Sequence, residues 1–121
     1  MAANGGDEWP WKAEARMIQV TEETRGDWRI VTVAGRADGE AADALESALR
    51  SAVEGNARVA ADFSALTYIS SASLRSVLQA ARAAQTRGSE FAICCLNKFV
   101  QEVFETTGLH KLLRIQGELP C

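Results

Sequence analysis

The feature that most constrains this chain is a double change of apolar period between Arg58 and Leu96. From Arg58 to Phe63, Val59, Ala61 and Phe63 recur at every second residue, the period of a strand. From Ser70 to Arg87, Leu74, Val77, Leu78, Ala81 and Ala84 recur at steps of three and four, while Arg75, Gln79, Arg82 and Gln85 fall away from that stripe. This is the pattern of a helix that buries one side. Gly88 closes it, and Glu90 to Leu96 is then a continuous apolar run, as expected of a buried strand. Strands joined through a helix pair in parallel with a right-handed crossover. An α/β fold follows.

The flanking segments extend the same architecture. Met17, Ile18 and Val20 begin a short strand, Arg25-Gly26-Asp27 supplies a turn, and Trp28 to Ala34 alternates, so this region reads as a hairpin whose second strand ends at Gly35. Ala41, Leu45, Ala48, Leu49, Ala52 and Val53 form a helical stripe stopped by Gly55-Asn56. Phe99, Val100, Val103 and Phe104 mark a third, shorter helix that ends at Thr107-Gly108, and Leu112 to Ile115 supplies a last strand. The predicted order is β-β-α-β-α-β-α-β. It implies one α/β domain over residues 17–116 with a mixed, largely parallel sheet of four to five strands on which the helices lie. Residues 1–16, with Asn4-Gly5-Gly6 and Trp9-Pro10-Trp11, read as a flexible N-terminal tail, and residues 117–121 as a C-terminal tail.

Composition removes several classes of function. The 121 residues fit one domain, which at this length buries a core without disulfide or metal support. A net charge of −3, with no cluster of basic and aromatic residues, argues against direct nucleic-acid binding. No apolar run approaches the ~20 residues of a membrane span, and the acidic N-terminus lacks the order of a signal peptide, so a cytoplasmic location is expected. Cys94 and Cys95 are adjacent, so on a strand they would face opposite ways, and Cys121 is the last residue; neither a disulfide framework nor a metal site is expected. The phosphate loop, the dinucleotide fingerprint and the nucleophile elbow are all missing. The single histidine, His110, has no partner for metal or base chemistry and suits a surface or capping role. No catalytic residue and no cofactor are expected.

The informative junction is Asp62 to Leu74, where the chain leaves a buried strand and starts a helix at Ser70 and Ser71. Serine at a helix start is a favoured N-cap, because its oxygen accepts a backbone N–H of the first turn. The same free N–H groups and the helix dipole favour an anion. A phosphate there would add about −2 of charge without melting the helix. Both readings, cap and phosphorylation switch, are open on position alone.

Four segments in order carry a resemblance. They are Val33-Ala34-Gly35-Arg36-Ala37-Asp38; Ala61-Asp62-Phe63-Ser64-Ala65-Leu66-Thr67-Tyr68-Ile69-Ser70-Ser71-Ala72-Ser73-Leu74; Arg87-Gly88; and Val103-Phe104-Glu105-Thr106-Thr107-Gly108-Leu109-His110-Lys111-Leu112. From about Met17 to Ile115 the chain resembles a STAS domain of the bacterial anti-sigma factor antagonist type. The resemblance implies a sheet with helices mainly on one side. It also implies a partner that is both anti-sigma factor and serine kinase, of the histidine-kinase-like ATPase type, and a PP2C-type phosphatase that resets the cycle. In the family pattern Asp-Ser-Ser-Gly-Leu the first serine accepts phosphate. By match, Ser71 is the acceptor, Ser70 stands for the aspartate, Ala72 for the second serine and Ser73 for the glycine, while Asp38 matches an acidic residue near the phosphosite. The implied contact patch is Asp38, Ser70, Ser71, Ser73 and Arg75. The other reading is a constitutive interaction module, such as a scaffold adaptor or an accessory subunit of a transporter, in which Ser71 is only a cap.

Overall fold

The computed structural model describes residues 18–120. The stretch read as an N-terminal tail lies outside the described residues, as do Met17 and Cys121. β1 (Ile18–Arg25) and β2 (Trp28–Ala37) form an antiparallel hairpin, registered from Ile18 opposite Gly35 to Arg25 opposite Trp28. Its two-residue turn has Gly26 at φ 62°, a value that glycine adopts without a Cβ penalty. β3 (Arg58–Asp62), β5 (Glu90–Cys94) and β6 (Arg114–Gln116) extend the sheet in parallel, in the order β1-β2-β3-β5-β6. The mixed, largely parallel α/β sheet is therefore as the sequence implies.

One strand is additional. Leu66–Ile69 forms β4, which pairs in parallel with the second half of β2. This pairing is possible because β2 does not stop at Gly35. The chain passes through Gly35 at φ 103° with a shift of register, and β2 changes neighbour there from β3 to β4. The Gly35 N–H donates to the Ala65 carbonyl at 3.0 Å, and the Thr67 hydroxyl to the Gly35 carbonyl at 3.1 Å. The sheet thus has six strands.

Three helices form where their stripes predict, α1 (Ala42–Gly55), α2 (Ser71–Arg87) and α3 (Lys98–Thr106), but Phe99, read as part of the third stripe, is exposed, because the buried side of α3 is carried by Val100 and Phe104. The main core joins Leu45, Leu49 and Val53 of α1, Leu74 and Val77 of α2, and Val100 and Phe104 of α3 to Val31, Val33, Val59, Ala61 and Ile93 of the sheet. Each of these side chains larger than alanine contributes on the order of 1.5–3 kcal/mol once buried. A second, smaller cluster of Trp28, Ile30, Ala60, Ala92 and Cys94 contains no helix residue, which puts all three described helices on one face. Leu119 packs against this cluster, so the segment after β6 lies on the domain at that point. The cysteines do not face opposite ways. Cys94 ends β5, and Cys95 turns to φ 66°, so that both pack in this cluster.

Candidate functional site

Because β2, β4 and β5 run parallel, the segments that follow them emerge at one edge of the sheet. Each begins with a side-chain cap. Asp38, after β2, accepts the N–H groups of Glu40 and Ala41 through Oδ1 at 3.1 and 3.2 Å and starts a short 3₁₀ turn (Gly39–Ala41) that leads into α1. Ser70, after β4, accepts the Ser73 N–H through Oγ at 3.2 Å and starts α2. Asn97, after β5, accepts the Val100 N–H at 2.8 Å and donates to the Leu66 carbonyl at 2.6 Å. Three capping side chains thus start the three segments, and the Asn97 amide also ties the third to the start of β4.

The cap of α2 is Ser70, and Ser71 is the first residue of the helix. The reading of Ser71 as a cap does not hold, because a cap needs extended backbone, which Ser70 has (φ −90°, ψ 169°). Aspartate, the residue that Ser70 replaces by match, is an equally good cap. Ser70 therefore keeps the structural role and removes the charge. Its own N–H donates to the Ala37 carbonyl at 2.8 Å, which joins the start of α2 to the end of β2.

Ser73 was expected in a contact patch, but it is fully buried. Its hydroxyl donates to the Asp38 carbonyl at 3.0 Å and so locks the Asp38 turn onto the first turn of α2. Ser76, also buried, donates to the Ala42 carbonyl at 2.7 Å and to the Ala72 carbonyl at 3.2 Å. Neither hydroxyl is open to chemistry. Ser71 is exposed, and among the described residues its N–H and that of Ala72 find no acceptor. Ser71, Arg75, Asp43 and Glu46 line an open groove between the starts of α1 and α2. Arg75 lies one turn beyond Ser71 on the same helix, within reach of a charge placed there.

Sequence reading did not single out Arg36, Tyr68 or Phe99. The Arg36 guanidinium lies 4.5 Å above the Tyr68 ring, and the two residues are register partners on β2 and β4 just before the two caps. Phe99 is 51% exposed in the first turn of α3, at the same edge. The Arg36–Tyr68 pair is visible only once β4 is recognised and registered against β2.

The thiols lie elsewhere, in the helix-free cluster. Burial, helped by Cys95 and Asp62 and opposed by Arg114, pushes the Cys94 thiol up to about 11. Burial also raises Cys95, with Asp62 and Glu118 adding to it and a backbone hydrogen bond from Leu119 opposing. Both are held as neutral thiols, the unreactive form. His110 is exposed, with Nδ1 3.4 Å from the Phe104 carbonyl. Among the described residues no His, Cys, Asp or Glu cluster could hold a metal ion, and no helix is long and apolar enough to cross a membrane.

Comparison with known proteins fits this geometry. The STAS-domain family model matches residues 18–119. BtrV of Bordetella bronchiseptica, a protein assigned as an anti-sigma factor antagonist, is 39% identical over 80 residues, which cover 65% of this chain and 69% of BtrV. An anti-sigma factor antagonist from Mycobacterium paratuberculosis has the same fold, with a TM-score of 0.77 at 22% identity over 84% of this chain and 87% of that one. The Bacillus cell fate determinant SpoIIAA in its phosphorylated form also shares it, with a TM-score of 0.61 at 18% identity over 84% and 92% of the two chains. With its sheet order, its capped edge and a family match over nearly all its described residues, this chain belongs to the STAS-domain family, among relatives that are anti-sigma factor antagonists.

Proposed function

We propose that this protein is an anti-sigma factor antagonist that binds an anti-sigma factor with serine-kinase activity, and that phosphorylation of Ser71 releases it. The observation that carries this reading is the division of labour among the serines at the start of α2. Ser70 is occupied as a cap, Ser73 and Ser76 are buried on backbone carbonyls, and Ser71 alone of the four is exposed. In the transfer, the Ser71 oxygen attacks the γ-phosphorus of ATP, the bond to ADP breaks, and the hydroxyl proton leaves.

The phosphorylated state stays folded for local reasons. The free N–H groups of Ser71 and Ala72 and the helix dipole favour an anion at this position. Arg75 gives it a partner at the i+4 spacing, with the negative charge on the N-terminal side, which is the better order. The same phosphate changes the surface. It adds about −2 of charge to an edge that already carries Asp38, Asp43 and Glu46. A partner surface matched to the neutral hydroxyl then meets repulsion and a desolvation cost. A phosphatase of PP2C type would restore the hydroxyl. These partners put the cycle in the cytoplasm.

Incubation with the cognate kinase and ATP is expected to add one phosphate, on Ser71, and Ser71→Ala to abolish it. Phosphate on Ser70 or Ser73 would overturn the assignment. Binding of the anti-sigma factor with no phosphate transfer at all would favour the constitutive interaction module instead.

A further inference from the structure

The groove beside Ser71 is bordered by a cation without a partner. Elsewhere among the described residues most arginines are held. Arg25, Arg29, Arg50, Arg58 and Arg114 pair with carboxylates at 2.8–3.4 Å. The Arg36 guanidinium stacks on Tyr68, and that of Arg87 donates to the Glu54 carbonyl. Arg75 and Arg82, both exposed on α2, hold no acceptor among the described residues. Arg82 lies about 10 Å farther along the helix. Arg75 borders the groove of about 420 Å³ that Ser71, Asp43 and Glu46 also line. The far wall does not hold it. Glu46 pairs with Arg50 at 3.2 Å, and among the described residues Asp43 forms no ion pair with Arg75. The floor is Ala42, Ala72 and Ser76, whose hydroxyl is already bonded to two carbonyls.

We propose that Arg75 binds a carboxylate of the anti-sigma factor while Ser71 is unmodified, and turns onto the phosphate once Ser71 is phosphorylated. One cation thus changes partner between the bound and the released state. The exchange rests on the reading of Ser71 as the phosphoacceptor. That reading constrains the sign of the group facing Ser71 across the interface. A phosphate would hold a cation there more tightly, so release requires a neutral or acidic group. Arg75 selects the acid. An exposed guanidinium with no internal partner gives up no bond of the fold when it turns to a carboxylate, and it can take one through two parallel hydrogen bonds. Phosphorylation reverses the competition. The phosphate carries about −2 of charge, twice that of a carboxylate. It is also fixed one turn away on the same helix, at the i,i+4 spacing, so it competes for Arg75 at any partner concentration. The partner's carboxylate then loses its cation and faces the phosphate and Asp43. Release has two sources, a lost attraction and a new repulsion.

The test uses the full chain and the purified cognate anti-sigma factor. Unphosphorylated Arg75→Gln is expected to bind roughly tenfold more weakly than wild type, as for a charge pair desolvated in an interface. Arg75→Lys keeps the charge and supplies an amine. Carbodiimide coupling of its complex is expected to join position 75 to an aspartate or glutamate of the anti-sigma factor, located by mass spectrometry of the peptides. The released state is read by phosphorus magnetic resonance of the chain phosphorylated on Ser71. The second ionisation of a phosphoserine ordinarily falls near about pH 6. With Arg75 on the dianion it is expected at lower pH in wild type than in Arg75→Gln. Equal affinities of wild type and Arg75→Gln, or equal ionisation midpoints, would overturn the exchange and leave Ser71 as the acceptor. So would a complex of Arg75→Lys that couples only through Lys98 or Lys111. A wild-type chain that binds the anti-sigma factor but takes no phosphate on Ser71 would remove the reading beneath the exchange, and the exchange with it.

Discussion

The two halves of α2 are held to the domain by different means. From Val77 onward the helix is held mainly by area. Val77, Ala80 and Ala84 are buried apolar residues, the helix closes on Gly88 at φ 75° with the Ser89 N–H on the Ala84 carbonyl at 2.8 Å, and one exposed polar tie runs from the Arg87 guanidinium to the Glu54 carbonyl at 2.8 Å. The N-terminal half is held by direction. Ser70, Ser73 and Ser76 each place a hydroxyl on a backbone group, on the helix itself, the Asp38 turn and the start of α1. Apolar contact tolerates small shifts, whereas hydrogen bonds at 2.7–3.2 Å fix position and angle. A helix start that presents a free hydroxyl to a partner, as proposed for Ser71, gains from the second kind of attachment.

The contrast can be broken first at its apolar end, where the expected effect is largest. Val77→Ala removes two buried carbons and leaves a cavity, at a cost of about 2 kcal/mol in denaturant unfolding. Partner affinity of the folded fraction should stay at the wild-type level. A matching loss of affinity would mean that the N-terminal half also depends on packing farther along the helix.

Ser70→Ala comes next, with about 1 kcal/mol lost with the cap. Ser70→Asp keeps the capping oxygen and adds a favourable charge at the helix start, so its stability should equal or exceed wild type. If both variants lost the same amount, Ser70 would not be acting as a cap. Ser73→Ala should also cost about 1 kcal/mol, but with a local signature. The Asp38 turn loses its tie to α2, so the amides of Glu40 and Ala41 exchange faster with solvent. Ser76→Ala is the control, because it removes a bond to α1 and leaves those two amides unchanged.

These serines also mark where the sequence was and was not legible. Periodicity located all three helices and the strands flanking them, because their buried positions are apolar and the stripes are long. It could not mark Ser73 and Ser76 as interior. A buried hydroxyl is written with the same letter as an exposed one, and its carbonyl partner lies some 35 residues away along the chain. β4 escaped for two reasons. Its four residues are too few to establish a period, and Gly35 reads as a strand end when the chain in fact bulges there and continues. At the site, the ordered segments pointed to the start of this helix, but pattern alone could not separate the cap from the residue after it. The assignment of the cap to Ser70 needed the backbone angles. The vicinal cysteines were misread for a related reason: alternation assumes that the strand continues, and Cys95 leaves it through a positive φ.

The smallest expected effect on stability is the most discriminating. The Ser71 hydroxyl makes no hydrogen bond among the described residues, so Ser71→Ala should unfold within about 0.5 kcal/mol of wild type. Alanine is also the better helix former. The consequence of this substitution should be confined to the surface. Ser71→Ala is expected to bind the anti-sigma factor and resist release by ATP, and Ser71→Asp to keep the native circular dichroism spectrum and bind more weakly. The order Ser71→Ala, wild type, Ser71→Asp in affinity after ATP treatment is therefore the reverse of what a structural serine gives, where both substitutions lose stability and binding together. If Ser71→Ala instead destabilised the protein as much as Ser70→Ala, the free hydroxyl would be part of the scaffold after all, and the separation of fixed from reactive serines along α2 would fail.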